Sequence, residues 1–230
     1  MTAARRPYVV CHMVPSVDGR IVTARWRLPP AVHAEYERTA ATFAADAWMI
    51  GRVSMEPYAA RAKIPRRKLP QPIPRKDFIA RRDAESFAIA LDPSGKLTWE
   101  SGSIDGEPII TVLTEAVPDY YLAFLRSLGV SYLFGGKTSV DLRKVLEKLR
   151  KVFGIKKLLL EGGGRINGAF LAADLIDELS VLVAPVADGA IGTPSLFDAR
   201  EEKGPARRLK LLAVEKRPGD LVWLRNKIRR

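Results

Sequence analysis

Two hydrophobic rhythms run along this chain. Short β-branched or apolar runs predict strands at residues 8–14, 47–50, 87–91, 109–113, 130–134, 157–160 and 179–184. Several of them lack period-two alternation, as strands buried on both faces do. Helical patterns lie between them. The clearest begins near Val140, where Leu142, Val145, Leu146, Leu149, Val152 and Phe153 recur at helical spacing while Lys144, Glu147, Lys148 and Lys151 face outward. A second spans about 31–45, entered through Pro29 and Pro30, with Val32, Tyr36, Ala40 and Phe43 as its apolar face. Near the C-terminus, Arg217-Pro218-Gly219-Asp220 predicts a type II turn that joins residues 209–216 and 221–225 in an antiparallel hairpin. Strands alternating with helices imply an α/β protein with a mostly parallel sheet. No repeat, low-complexity segment or domain boundary interrupts the pattern, so residues 1–230 are expected to form one domain.

Composition narrows the class. Hydrophobic residues make up 47% and charged residues 28%, which suits a globular protein with a full core. No apolar run approaches the roughly 20 residues that span a bilayer, and the first ten residues lack the apolar stretch of a secretion signal, so the expected location is cytoplasmic. One cysteine, Cys11, and two histidines, His12 and His33, supply neither a disulfide nor a three-ligand zinc site, and no metal is expected.

The net charge of +12 is compatible with nucleic acid, an anionic membrane surface or anionic small molecules, and charge alone does not choose among them. Between residues 61 and 82, Arg61, Lys63, Arg66, Arg67, Lys68, Arg75, Lys76, Arg81 and Arg82 face one acid, Asp77. Pro65, Pro70, Pro72 and Pro74 break this stretch into an extended loop over about 59–84, either a solvated insertion or a gatherer of phosphate. A basic nucleic-acid-binding protein is the rival class, but no helix-turn-helix, zinc finger or aromatic RNA-binding signature supports it.

Three motifs could carry chemistry. In the first, the apolar run Leu158-Leu159-Leu160 ends in Glu161-Gly162-Gly163-Gly164 and passes through Arg165-Ile166-Asn167-Gly168 into an amphipathic helix. Glycines let the backbone approach a ligand, and the first helical amides present unpaired donors at the positive end of the helix dipole, which together make a phosphate or pyrophosphate cradle. The spacing is neither the Rossmann fingerprint nor a P-loop. Glu161 sits where the strand ends; its carboxylate could bind a polar substrate group or orient an amine, and equally could cap the turn or pair with Arg165. The second motif, Ser16-Val17-Asp18-Gly19-Arg20, contains a turn signal and clusters Ser16, Asp18 and Arg20 at the end of the first strand, where they could meet a phosphorylated ligand. The third, Gly51-Arg52-Val53-Ser54, suits backbone and cationic contact with phosphate, or a helix start with its cap.

In order and spacing these motifs resemble the dihydrofolate-reductase-like superfamily, and within it the reductase domain of the bifunctional riboflavin-biosynthesis deaminase/reductase. Ser16, Asp18, Gly19 and Arg20 match the family's Ser-x-Asp-Gly-Arg/Lys, and Gly51, Arg52 and Ser54 match its Gly-Arg-x-Thr-type segment. Residues 161–171, the Asp177-Glu178-Leu179 run and Ala184-Pro185 match its Glu-Gly-Gly turn and the elements after it. The resemblance implies a twisted, mostly parallel sheet flanked by helices, NADPH lying across it, and a homodimer. It implies reduction of the ribosylamino group of a pyrimidinone 5′-phosphate to ribitylamino. Gly162, Gly163, Gly164, Arg165, Ile166 and Asn167 would then hold the cofactor pyrophosphate, with Gly51, Arg52 and Ser54 on the same cofactor; Arg52 is the leading candidate for its 2′-phosphate, assisted by Thr114. Ser16, Asp18, Arg20 and Glu161 would face substrate, with Asp18 or Glu161 binding the sugar or steering a proton to the imine nitrogen. Two segments depart from the family pattern: Met55-Glu56-Pro57-Tyr58 replaces an Asp-Pro and Leu-Thr stretch, and Thr23-Ala24-Arg25-Trp26-Arg27-Leu28-Pro29 replaces a Ser/Thr-rich one. A reductase of the same fold acting on a pterin or another heterocycle is therefore the alternative.

Overall fold

The computed structural model describes residues 5–61, 64, 66, 69–199 and 206–229; Lys63, Pro65, Arg67 and Lys68 of the expected basic loop lie outside the described residues. In chain order the elements are β1 (Tyr8–Met13), α1 (Pro30–Ala41), β2 (Ala47–Gly51), α2 (Arg52–Met55), β3 (Phe87–Leu91), β4 (Ser103–Ile104), β5 (Glu107–Thr114), α3 (Asp119–Ser127), β6 (Ser131–Gly136), α4 (Leu142–Phe153), β7 (Lys157–Leu160), α5 (Gly164–Ala172), β8 (Glu178–Val183), β9 (Leu209–Arg217) and β10 (Leu221–Ile228). Every expected strand is present, with ends displaced by a few residues. Helix α3 was not legible in the pattern, because its buried Tyr121, Leu122 and Leu125 lie in a short run whose aromatic residues are weak helix formers.

Contacts divide the chain into two compact units, Met1–Pro7 with Asp46–Lys156 and Tyr8–Ala45 with Lys157–Arg230. Each unit draws on two separate stretches, so no linear boundary marks them in the sequence.

In the unit containing Asp46–Lys156, β2, β3, β5 and β6 pair in parallel, and the short β4 runs antiparallel to the start of β5. Residues 87–90 of β3 are all buried, which explains their unbroken apolar character. Helix α4 buries Val145, Leu146, Leu149 and Phe153. The Asp141 side chain caps it by accepting from the Lys144 amide at 3.1 Å, and it stops at Gly154 with φ 73°. Lys148, expected to face outward, instead reaches Asp77 and the Phe134 carbonyl.

In the other unit, β1 lies between β7 and β8, parallel to both. Strand β10 is antiparallel to β8 and β9 is antiparallel to β10. The hairpin closes on three residues, with Arg217 opposite Leu221; Gly219 has the positive φ that the third position of a type II turn requires, and Asp220 is left-handed as well. Asp tolerates that left-handed conformation better than most residues. On α1 the buried positions are Val32, Glu35, Thr39 and Ala40, and Tyr36 is only partly buried. Glu35 can be buried inside an apolar stripe because the guanidinium groups of Arg38 and Arg217 both bind its carboxylate, and Arg217 also stacks over Trp223.

Candidate active site

Strands β1 and β7 are parallel neighbours, so the turns after them stand at the same end of the sheet, the carboxyl end where α/β proteins place ligands. The turn after β1 is closed by the Gly19 amide donating to the Ser16 carbonyl at 2.9 Å, with Gly19 at φ +82°. The Ser16 hydroxyl donates to Asp18 Oδ1 at 2.7 Å and accepts from the Arg20 amide at 2.9 Å. Asp18 also accepts from the amides of Asp188 and Gly189, each at 2.9 Å. These donors, the Ser16 hydroxyl foremost, hold the Asp18 carboxyl well below the usual carboxylate range. A carboxyl so stabilised in its ionised form is a poor proton donor. Its arrangement favours a positioning role over the acid role that the sequence left open.

The segment after β8 runs across both turns as a strap. The amides of Val17 and Ile21 donate to the carbonyls of Val186 and Pro194, the Leu196 amide donates to the Gly19 carbonyl, and Arg20 donates to the Thr193 carbonyl at 2.8 Å. Arg20, expected to meet substrate, gives one guanidinium N–H to the strap. The strap then reaches α5, where the Asp198 amide donates to the Gly164 carbonyl at 2.9 Å and Asn167 Nδ2 donates to the Leu196 carbonyl at 3.0 Å.

This changes the reading of the glycines after β7. Gly162 adopts φ +98°, a conformation that L side chains rarely take, and the Gly162–Gly163 peptide is cis. A Cβ on Gly164 would lie 2.2 Å from the Ser195 carbonyl oxygen, and one on Gly168 would lie 2.6 Å from the Asp198 carbonyl carbon. These two glycines, one helical turn apart, admit the chain's own strap rather than a ligand. Asn167, fully buried, likewise faces the strap. What this leaves open to a ligand is the partly exposed Gly163 and the start of the helix at Arg165. Ile166 is buried, and its amide donates to the Gly163 carbonyl at 3.1 Å. Arg165 is exposed at the start of the helix.

Glu161 stands beside the Tyr36 hydroxyl and Cys11; burial first, and the Glu161 charge second, push both their pKa values up. Behind it lies a buried network that the sequence did not signal. His12 stacks on Tyr36 with ring centroids 4.5 Å apart, and its ring nitrogens meet Ser180 Oγ at 2.9 Å and the Tyr36 carbonyl at 3.3 Å. Burial lowers its pKa to about 4, so the ring is neutral at pH 7. A carbonyl can only accept, which assigns the proton to Nε2; Nδ1 then accepts from Ser180, whose oxygen takes the Trp223 indole N–H at 2.8 Å.

In the other unit, Gly51, Arg52, Ser54 and Thr114 stand at the carboxyl ends of β2 and β5. Helix α2 is a single turn, and Gly51 is extended with φ −75°, so this segment is no developed helix terminus for an anion. Arg52 pairs with Glu56 and lies within the field of Asp92. An exposed pair of this kind is worth about 0–1 kcal/mol, so a phosphate can displace Glu56 at little cost. Thr114 is 4% exposed, and its hydroxyl donates to the Pro93 carbonyl at 2.8 Å, which takes away its use as a phosphate donor. Ser54 is half-buried on α2. The buried carboxyl of Asp92, overlooked in the sequence although Asp-Pro-Ser-Gly is a turn signal, accepts the amides of Lys96 and Leu97 at 2.6 and 2.8 Å.

Among the described residues no cluster of His, Cys, Asp and Glu could hold a metal, and no helix is long and apolar enough to cross a membrane. Parallel strands carrying ligand-type turns at their carboxyl ends, closed by an antiparallel hairpin, define the dihydrofolate-reductase-like class of α/β protein, and solved structures share the fold. A pyrimidine reductase-like protein from Corynebacterium diphtheriae superposes with a TM-score of 0.73 at 19% identity, over 97% of this chain and 92% of that one. Acinetobacter baumannii RibD does so with a TM-score of 0.71 at 23% identity, over 99% of this chain and 59% of that one. Residues 7–223 match the RibD C-terminal domain, and the chain belongs to that family.

Curated relatives carry a more specific name, 2,5-diamino-6-ribosylamino-4(3H)-pyrimidinone 5′-phosphate reductase. The protein from Methanothermobacter thermautotrophicus is 34% identical over 109 residues, which cover 46% of this chain and 50% of the relative. The one from Aquifex aeolicus is 35% identical over 89 residues, 39% of this chain and 39% of the relative. The matches thus span half or less of these relatives' own length.

Proposed function

We propose that this chain is an NADPH-dependent reductase of a ribosylamino-pyrimidinone 5′-phosphate, working in the cytoplasm. The observation that carries this reading is the glycine turn after β7, set beside the Ser16–Arg20 turn in a chain of the RibD C-terminal family. The residues present fit the cofactor. Gly163 is partly exposed in the turn, and the amides of Gly164 and Arg165 suit a diphosphate at the start of the nine-residue α5. Arg52, with Gly51 and Ser54, is our candidate for further cofactor contact, on the family pattern alone. When bound, the cofactor supplies a hydride to the imine carbon of the substrate. The protein's part is to orient the ring and sugar, and to deliver one proton to the imine nitrogen as the C–H bond forms. Glu161, backed by the Tyr36 hydroxyl, is our candidate for orienting the reacting amine; Ser16 and Asp18 hold the turn that borders it.

A second reading, reduction of another anionic heterocycle, is favoured by one feature. Residues 23–29 and 55–58 depart from the family pattern on the substrate side. We further propose a homodimer, because Leu209, Leu211, Leu212 and Val214 of the edge strand β9, with Val222 beside them, expose an apolar row that a second copy would cover.

The test is NADPH oxidation with the pyrimidinone phosphate beside a panel of pterins and phosphorylated imines, on protein whose mass is read by sedimentation. NADPH at about 100 times its dissociation constant should stabilise the fold by roughly 2.7 kcal/mol. Absence of both thermal shift and binding heat at millimolar cofactor would remove the reductase reading; monomeric sedimentation would remove the dimer alone.

A further inference from the structure

The strap after β8 is tied to the Ser16–Arg20 turn along its length, and within residues 187–193 a second contact adds to the bonds that Asp18 and Arg20 make. The Asp188 carboxylate is 1% exposed although both its neighbours, Ala187 and Gly189, are exposed. What covers it is the segment that departs from the family pattern. The Trp26 indole N–H donates to Asp188 Oδ2, and Arg25 Nη1 reaches Oδ1 at 3.3 Å. The same carboxylate accepts the Ala190 amide at 3.1 Å, and the Thr193 hydroxyl donates to the Ala190 carbonyl at 3.1 Å, so the tip forms a closed loop. The indole donor foremost holds the Asp188 carboxyl below its ordinary range.

The turn Thr23–Arg25 contains no buried residue, so core packing does not fix it; its anchor is Asp188. Conversely, the strap tip lies between Gly189 and Gly192, both at positive φ, and carries Ile191 at 99% exposure. Asp188 is thus held twice, by its amide on Asp18 and by its side chain on Trp26 and Arg25. We propose that Trp26 and Arg25 are positioning residues that, through Asp188, set the strap tip against the Ser16–Arg20 turn and so determine which heterocycle the site accepts. The proposal rests on the reductase reading given above. It explains why the substrate side diverges at residues 23–29 while the turn itself is kept: the divergent segment acts on the wall, not on the turn. The ends of the strap have their own tethers at Val17, Ile21 and Gly164, and its tip keeps the amide bonds to Asp18, so loss of the latch loosens the tip and leaves the fold intact.

Trp26→Phe keeps the ring and removes the donor, and Asp188→Asn keeps an acceptor and removes the charge that attracts Arg25. In both variants, amide exchange at Asp188, Gly189 and Ala190 should rise at least tenfold, with the dissociation constant of NADPH unchanged. The ratio of kcat/KM between the pyrimidinone phosphate and the competing heterocycles should shift at least fivefold, mainly through KM. Unchanged exchange in both variants refutes the latch. Faster exchange with an unchanged ratio refutes its role in specificity. If the wild-type protein turns over nothing in the panel, the reductase reading and the specificity role fall together, and exchange still decides whether the latch exists. Should Trp26→Phe not fold, Asp188→Asn alone carries the same outcomes.

Discussion

The turns after β1 and β7 stand side by side at one end of the same parallel strands, yet they are built in opposite ways. The first is made by polar groups: the Ser16 hydroxyl, the Asp18 carboxylate and one N–H of the Arg20 guanidinium bond to the chain's own backbone or to each other. The second is made by absent side chains. Gly162 supplies a left-handed conformation, and Gly164 and Gly168 supply room for the strap. Hydrogen bonds to a carboxylate can be titrated away, whereas space for a backbone can only be filled. The two turns should therefore fail under different insults.

Acid gives the largest effect and should reach the second turn's support first. His12, stacked on the Tyr36 ring that backs Glu161, has its pKa lowered from 6.5 to about 4 by burial. The unfolded chain binds a proton there between those two values and the folded one does not, so stability rises with pH across this window. It is fully present above pH 6.5 and declines by about 3 kcal/mol in total as pH falls to 4 and below. The hydrogen-bonded Asp18 carboxylate, also depressed, loses its contribution only at lower pH, below the ordinary aspartate value of 3.8. Denaturant midpoints between pH 8 and 3 should show the first loss, and His12→Gln should flatten it while leaving the second. A stability flat from pH 7 to 4.5 in the wild-type protein would refute the assignment of a neutral buried ring.

What the sequence made legible follows the same division. Strand positions, helix α4 and the motif order were readable because each depends on local periodicity or on residues close in the chain. The burial of Glu35 on α1 was not legible, because its partner Arg217 is far away in sequence, on the hairpin. The glycines after β7 were read as room for a ligand, and at Gly164 and Gly168 the chain's own strap occupies that room. Their spacing at residues 164 and 168 is one helical turn, which points to a flanking segment as readily as to a ligand, and nothing local says that residues 195–199 fill that place. Thr114 failed for a related reason: a hydroxyl at a strand end looks free until the loop that takes its proton, at Pro93, is in place.

Filling the space is the next largest effect. A methyl at Gly168 would meet the backbone of Asp198 and Ala199 at 2.6 and 2.7 Å, and backbone has no rotamer to yield. Gly168→Ala should cost roughly 2 kcal/mol, as overpacking typically does. The loss should come with faster amide exchange at Asp198, whose bond to the Gly164 carbonyl would lengthen. Stability within about 0.5 kcal/mol of wild type would mean that the strap does not rest on this face of α5.

The smallest effect isolates conformation from space. Gly19 has φ +82°, and a Cβ built there meets nothing within 4 Å, so a substitution acts through the backbone alone. Gly19→Ala should destabilise the protein by about 1 kcal/mol, the usual cost of placing an L residue in the left-handed region. Gly19→Asn should cost less, because asparagine visits that region more readily than alanine. Gly168 should show the reverse order, since there the larger side chain deepens the clash. Chemical denaturation of the four variants therefore separates the two turns by rank order alone. Asparagine worse than alanine at Gly19 would mean that something packs over the Ser16–Arg20 turn more closely than the 4 Å of open space allows, and the polar turn would then be a packed one like its neighbour.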